Sequence, residues 1–218
     1  MHRSFKSVPG WLFFDLDGTI ADSLPGIEFS IQEAFAAVGK TISVKDVRRF
    51  VGPSIRTILR NMEPSLTDSE LELMAVSYRQ SYDTTGCFKT ILYPGVRETL
   101  DLFLRNGSVL FIVTNKPKLP TANILGELGI TNSFREMVSP DSRTPSVNSK
   151  GEMLIDLTTR YSVDLRMARM IGDTAEDMQA AREAGVAFVH SAYGYGTLPE
   201  SEIDTIHQFS ALPALCGY

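Results

Sequence analysis

Two cysteines, Cys87 and Cys216, are all that the 218 residues contain. That is too few for a disulfide framework, and neither stands in a CxxC or Cys/His metal pattern. A reducing, cytoplasmic compartment is the expectation. Long apolar runs are missing as well. Trp11-Leu12-Phe13-Phe14 is the apolar run nearest the N-terminus, far short of the roughly 20 residues of a membrane span and of a secretion signal's apolar core. No membrane partner is expected. Positive charge is in deficit, with 21 Lys and Arg against 26 Asp and Glu for a net charge of −5. No field is present to draw in a nucleic-acid backbone, so no nucleic-acid partner is expected either. The chain also lacks repeats and low-complexity tracts. What is there, 43% hydrophobic and 22% charged residues, is the composition of an ordinary folded domain, with or without a smaller insert.

Short apolar runs recur at 11–14, 109–113, 137–138, 167–171 and 186–189, each of a length that suits a buried strand. Helical stretches fill 96–105, 119–128, 151–161 and 175–184, and Gly107, Gly129 and Gly185 follow three of them as stops. Strand and helix alternate, which predicts a parallel sheet with crossover helices. The segment after Asp15 breaks the rhythm: about 70 residues hold no convincing strand. Ile27, Ile31, Ala34, Phe35 and Val38 share a helical face, and Thr67-Asp68-Ser69-Glu70 opens another helix as a capping box. Tyr93-Pro94-Gly95 marks the return. The expected organisation is α/β: a Rossmann-like parallel sheet core, 1–21 and 91–218, with helices on both faces, and a small all-helical cap domain, 22–90, inserted after the first strand.

Chemistry gathers where the apolar runs end. Asp15 and Asp17 stand two residues apart, so strand alternation predicts that both face the same side. One carboxylate can accept a phosphoryl group and the other can move a proton; the bland alternative is an ordinary Asp-Gly turn. Gly18 frees the backbone to turn. Thr114-Asn115 after the second run offers a hydroxyl and an amide for phosphoryl oxygens, although a threonine there also suits a simple cap. Asp173 and Asp177, spaced i and i+4, share a helix face and should repel unless a cation offsets them; hard oxygen ligands favour Mg²⁺. Asp177 also fits a helix N-terminus without any metal. Lys150 opens a helix in Ser149-Lys150-Gly151-Glu152, a second capping-box pattern. The macrodipole disfavours a cation there, so an anionic partner would explain it, whereas taken alone it reads as a solvated lysine.

Asp15-x-Asp17-Gly18-Thr19, then Thr114-Asn115, Lys150 and Gly172-Asp173-x-x-x-Asp177, in that order, resemble the four motifs of the haloacid dehalogenase-like phosphohydrolases over essentially the whole chain. Ile20-Ala21-Asp22-Ser23, Thr114-Asn115-Lys116-Pro117 and Tyr193-Gly194-Tyr195-Gly196 look most like phosphoglycolate phosphatases and their near relatives. The resemblance implies Asp15 as nucleophile and Mg²⁺ ligand, Asp17 as general acid/base and carbonyl ligand, and Asp173 as the third ligand. It implies Thr114, Asn115, Lys150 and the Gly18 backbone at the phosphoryl group, with Thr19 and Asp177 in support. Family members usually follow the lysine with Pro, where this chain has Gly151.

The implied activity is Mg²⁺-dependent hydrolysis of a small phosphorylated metabolite, phosphoglycolate-like, by a monomer or homodimer. Arg56 in the 48–56 segment is the candidate for an anionic substrate tail, and an exposed arginine on an amphipathic helix is its plain alternative; Phe50 and Ile55 read as insert core. Rival readings are a sugar phosphomutase of the β-phosphoglucomutase type, a nucleotidase or pyrophosphatase on the same scaffold, and a phosphoacceptor signalling domain. The early Asp15-x-Asp17 pair and the long insert argue against the last.

Overall fold

A computed structural model describes residues 10–147, 149–199 and 203–218; the first nine residues of the expected core segment lie outside them. Its strands are β1 (Trp11–Phe14), β2 (Ala21–Asp22), β3 (Ile91–Leu92), β4 (Val109–Val113), β5 (Glu136–Val138), β6 (Ala168–Gly172), β7 (Ala187–Ser191) and β8 (Asp204–Ile206). Its helices are α1 (Leu24–Ala36), α2 (Ile55–Met62), α3 (Asp68–Thr84), α4 (Val96–Arg105), α5 (Lys118–Glu127), α6 (Lys150–Arg160), α7 (Ala175–Ala184) and the single turn α8 (Leu212–Leu215).

Six strands form one sheet in the order β5-β4-β1-β6-β7-β8, every neighbouring pair parallel. This is the α/β, Rossmann-like architecture. β1 is central because it is apolar on both faces: Leu12 and Phe14 join the core shared with α4 and α5, and Phe13 joins the core of α6 and α7. Phe13 stacks on Phe111 with ring centroids 5.0 Å apart. Full burial of each such ring contributes roughly 1.5–3 kcal/mol. Gly185 closes α7 in the left-handed region, φ 68°.

Two differences from the sequence reading have simple causes. β8 escaped detection because two of its three residues, Asp204 and Thr205, are polar and only Ile206 is buried. The stretch after Asp15 is bounded by two very short strands, β2 and β3, which pair antiparallel as a two-residue ribbon, too short for a strand period to register. Between them lie α1, α2, α3 and short 3₁₀ turns. Thr67 and Glu70 form both halves of the capping box of α3. Ile27, Ile31, Ala34 and Phe35 of α1 share a buried cluster with Met74 and Tyr82 of α3, and that cluster is continuous with the sheet core.

Candidate active site

Chain order reverses across the sheet between β1 and β6, and in open α/β sheets ligands bind outside the carboxyl ends of strands at that switch point. Asp15 follows β1 and Asp173 follows β6. Asp15 and Asp17 line one cavity of about 250 Å³, together with Thr114, Asn115, Lys116 and Lys150. Strand alternation is not what brings the two carboxylates together, since β1 ends at Phe14. A tight turn does it instead: Leu16 O accepts from the N–H groups of Thr19 (3.3 Å), Ile20 (3.1 Å) and Ala21 (3.0 Å). Gly18 sits in this turn at φ 84°, where a Cβ would fall against the Asp173 carboxylate.

Lys150 ties the acidic motifs together. Its Nζ lies 2.8 Å from Asp15 Oδ1 and 2.6 Å from Asp177 Oδ1, with all three side chains buried. These are the anionic partners that its place in the first turn of α6 calls for. Gly151 does not disturb the lysine; its bare Cα makes room for Glu183 of α7, whose carboxylate occupies the space a side chain would take. Ser149 Oγ accepts from Glu152 N (3.1 Å) at the start of α6. Burial works against the Lys150 ammonium, but the attraction of Asp15 and Asp177 outweighs it and raises its pKa above the ordinary value.

Asp173 and Asp177 do not share a helix face, because α7 begins at Ala175 and leaves Asp173 ahead of the cap residue Thr174. Asp177 serves two groups. Its Oδ2 accepts from Thr174 N (3.0 Å) and Thr174 Oγ1 (2.7 Å) in a capping box, while its Oδ1 holds Lys150. Asp173 Oδ2 accepts from the backbone N–H of Tyr195 (2.7 Å) and Gly196 (3.2 Å), and its Oδ1 from Thr19 Oγ1 (3.3 Å). Burial, then the charge of Asp177, pushes Asp173 up to about 6 against those N–H groups. Burial likewise raises Asp15, against the pull of Lys150.

Carboxylate oxygens of Asp15, Asp173 and Asp177 lie within 4.8 Å of one another. One ammonium serves three buried carboxylates, so the cluster carries excess negative charge that a divalent cation would neutralise. Among the described contacts Asp15 Oδ2 accepts no hydrogen bond and Asp173 Oδ1 only the long one from Thr19 Oγ1 (3.3 Å), whereas Asp177 holds the Lys150 ammonium with one oxygen and caps α7 with the other. The donor set fits a hard cation held chiefly by Asp15 and Asp173.

A family model described as haloacid dehalogenase-like hydrolase matches residues 12–191. The chain belongs to that family. It is 31% identical to the phosphoglycolate phosphatase of Pseudomonas savastanoi pv. phaseolicola over 86% of this chain and 71% of that protein. With the phosphoglycolate phosphatase of Haemophilus influenzae 86-028NP it shares 30% identity over 89% of both chains. In fold it is similar to a phosphoglycolate phosphatase predicted in Haemophilus somnus 129pt and solved by crystallography, with a TM-score of 0.85 and 27% identity over 95% of this chain and 97% of that one. It is a haloacid dehalogenase-like phosphatase.

Within this hydrolase the cavity and its rim draw on residues to which the motifs assign no role of their own. Lys116 is buried, and its Nζ lies 3.0 Å from Asp17 Oδ2 and 2.7 Å from the Tyr82 hydroxyl. Burial opposes its charge, yet Asp17 and Tyr82 raise its pKa above the ordinary lysine value. The Tyr195 hydroxyl accepts from Ser23 N (2.8 Å) and Leu24 N (3.1 Å) and donates to Asp22 Oδ1 (2.9 Å), tying the 193–196 loop to the start of α1. Arg48 donates to the carbonyls of Tyr193 (3.1 Å) and Gly194 from the insert side.

Arg56 is not brought to the cavity. It is half-exposed on α2 and pairs with Glu72 of α3. Arg79 of α3 lines the cavity instead. Phe50 and Ile55 pack against the core, and Ile55 also lines the cavity. Among the described residues Arg79 has no hydrogen-bonded ion pair; Asp83, one turn on, is its electrostatic neighbour. No helix among the described residues is long and apolar enough to cross a membrane.

Proposed function

We propose that this phosphatase hydrolyses a small phosphomonoester of the phosphoglycolate kind through an aspartyl phosphate on Asp15, with residues 22–90 acting as a cap over the cavity. The observation that carries the reading is the buried Asp15–Lys150 pair opening on the same cavity as a second carboxylate, Asp17. Asp15 attacks phosphorus as the ester P–O bond breaks, and Asp17 gives its proton to the leaving oxygen. Water then attacks phosphorus, Asp17 takes back a proton, and the Asp15–phosphorus bond breaks to release inorganic phosphate. Thr114, Asn115, Lys150 and the Gly18 backbone hold phosphoryl oxygens, and Asp177 keeps Lys150 in place. Phosphoryl transfer needs such positioning and charge neutralisation more than covalent help. Asp15, Asp173 and the Asp17 carbonyl, which none of the turn's hydrogen bonds uses, would hold Mg²⁺. When bound, the ion withdraws charge from the phosphoryl oxygens.

A cavity of about 250 Å³ with apolar walls such as Ile27, Val51 and Ile58 suits a compact ester. The test is phosphate release from a panel comprising phosphoglycolate, alkyl, sugar and nucleoside phosphates, with Mg²⁺ or with EDTA. Mg²⁺-dependent release, fastest with phosphoglycolate and lost in Asp15→Asn, is the expected outcome. Isomerisation of a sugar phosphate with a bisphosphate primer, without phosphate release, contradicts it.

A further inference from the structure

Asp17, the proposed acid and base, is already engaged at both oxygens. Ser23 Oγ donates to Oδ1 (2.5 Å), and the Lys116 ammonium lies 3.0 Å from Oδ2. With a serine hydroxyl directed at one oxygen and an ammonium at the other, Asp17 is held in place by its partners and must leave Lys116 to turn toward a leaving group. Lys116 in turn donates to the Tyr82 hydroxyl (2.7 Å) and lies 4.2 Å from the centre of that ring. Three separate pieces of chain therefore meet here: the turn after β1, the loop after β4, and α3 of the insert. Lys116 is only 6% exposed, so its charge has no solvent to turn to when Asp17 moves; it needs another anion. The incoming phosphate ester supplies one in the same cavity.

We propose that Lys116 is a positioning residue, which holds Asp17 and links it to Tyr82, so that Asp17 reaches the leaving oxygen only when the ester's anionic group takes over the Lys116 ammonium. The inference rests on the phosphatase reading above. Substrate binding and proton delivery are coupled through one buried lysine, and α3 senses the exchange through Tyr82. The proton given to the leaving oxygen in the first half-reaction returns to Asp17 from water in the second, so the cycle closes without another donor.

Leaving-group chemistry separates this role from a structural one. A p-nitrophenolate departs without a proton, whereas the alkoxide of phosphoglycolate needs one. Single-turnover release of the first product is measured for the wild type, Lys116→Met, Lys116→Arg, Tyr82→Phe, Asp17→Asn and the Lys116→Met/Asp17→Asn double variant, with phosphoglycolate and with p-nitrophenyl phosphate. At saturating ester Lys116→Met should slow first-product release from phosphoglycolate roughly ten- to a hundredfold and from p-nitrophenyl phosphate by less than about threefold, the contact of Lys116 with the anion that both esters share being read in the concentration dependence instead. The double variant should be no slower on phosphoglycolate than Asp17→Asn, because the two residues act as a unit. Lys116→Arg should recover part of the loss, and Tyr82→Phe should show the same ester preference at smaller size. Equal losses on both esters, or a double variant slower than Asp17→Asn, overturn the proposal. Should Lys116→Met fail to fold, Tyr82→Phe decides, and equal effects on both esters or none on either count against the link. A wild type that turns over neither ester contradicts the phosphatase reading itself, and this inference falls with it.

Discussion

Charge at single residues organises the site. Lys150 was placed near the phosphoryl group by motif order, and the structure puts its ammonium between Asp15 and Asp177 despite the glycine that follows it. Arg56 and Arg79 show the opposite case. Both sit on amphipathic helices of the insert, and spacing along the chain does not say which arginine faces the sheet edge; the rotation of α2 and α3 about their axes does. Arg56 spends its charge on Glu72, while Arg79 faces the cavity. Arg79→Leu should raise KM for phosphoglycolate roughly tenfold, the worth of one charge-assisted bond, and leave KM for the neutral-tailed ethyl phosphate near the wild-type value. Steady-state kinetics on the two esters checks this, and equal shifts would show that Arg79 does not read the substrate's carboxylate.

Among the elements, α6 and α7 carry the motifs whose side chains must not move. Thr174 caps α7 through the same carboxylate that holds Lys150, so helix start and active-site lysine share one anchor. Thr174→Val should cost about 1 kcal/mol of stability and lower turnover, read by urea denaturation and phosphate release on the same sample; unchanged stability would mean the cap is not formed in solution. At the other end of α6, Arg160 donates to Glu136 of β5 at 2.7 and 3.0 Å, and Tyr161 adds a third bond at 2.8 Å. The Arg160 hydrogen bonds hold the Glu136 carboxyl below its ordinary pKa. Because the folded pKa is depressed, the stabilisation is present above the unfolded value and disappears as pH falls through the folded one. Glu136→Gln should lose up to about 1 kcal/mol at neutral pH and match the wild type once the medium is acid enough to protonate Glu136 in both states. Denaturant midpoints at the two pH values test the sign.

At the scale of the whole molecule, the parallel sheet was legible because β1, β4 and, but for Arg169, β6 are short apolar runs that alternate with helical stretches. β8 and the β2–β3 ribbon were not, since β8 is mostly polar and the ribbon strands are only two residues each. Asp15, Asp17, Thr114, Lys150 and Asp173 were legible as a set because each follows a strand or opens a helix at one edge of the sheet. The Lys116–Tyr82 contact was not, because it joins residues 34 apart across separate elements and depends on how the insert sits. A cation bound by Asp15 and Asp173 should couple to folding: saturating Mg²⁺ should raise Tm, by mass action worth about 2.7 kcal/mol at a hundredfold excess over Kd, and Asp173→Asn should abolish the shift. A shift retained in that variant would place the ion elsewhere.

Covalent chemistry at Asp15 distinguishes this reaction from direct attack by water, and trapping the phosphoryl adduct reads it. Acid quench of the enzyme during turnover of phosphoglycolate with Mg²⁺, followed by peptide mass spectrometry, should find a phosphoryl group on Asp15 that is absent in Asp15→Asn. Phosphate release without any phosphoryl adduct at Asp15, or with the adduct on another residue, would contradict the account.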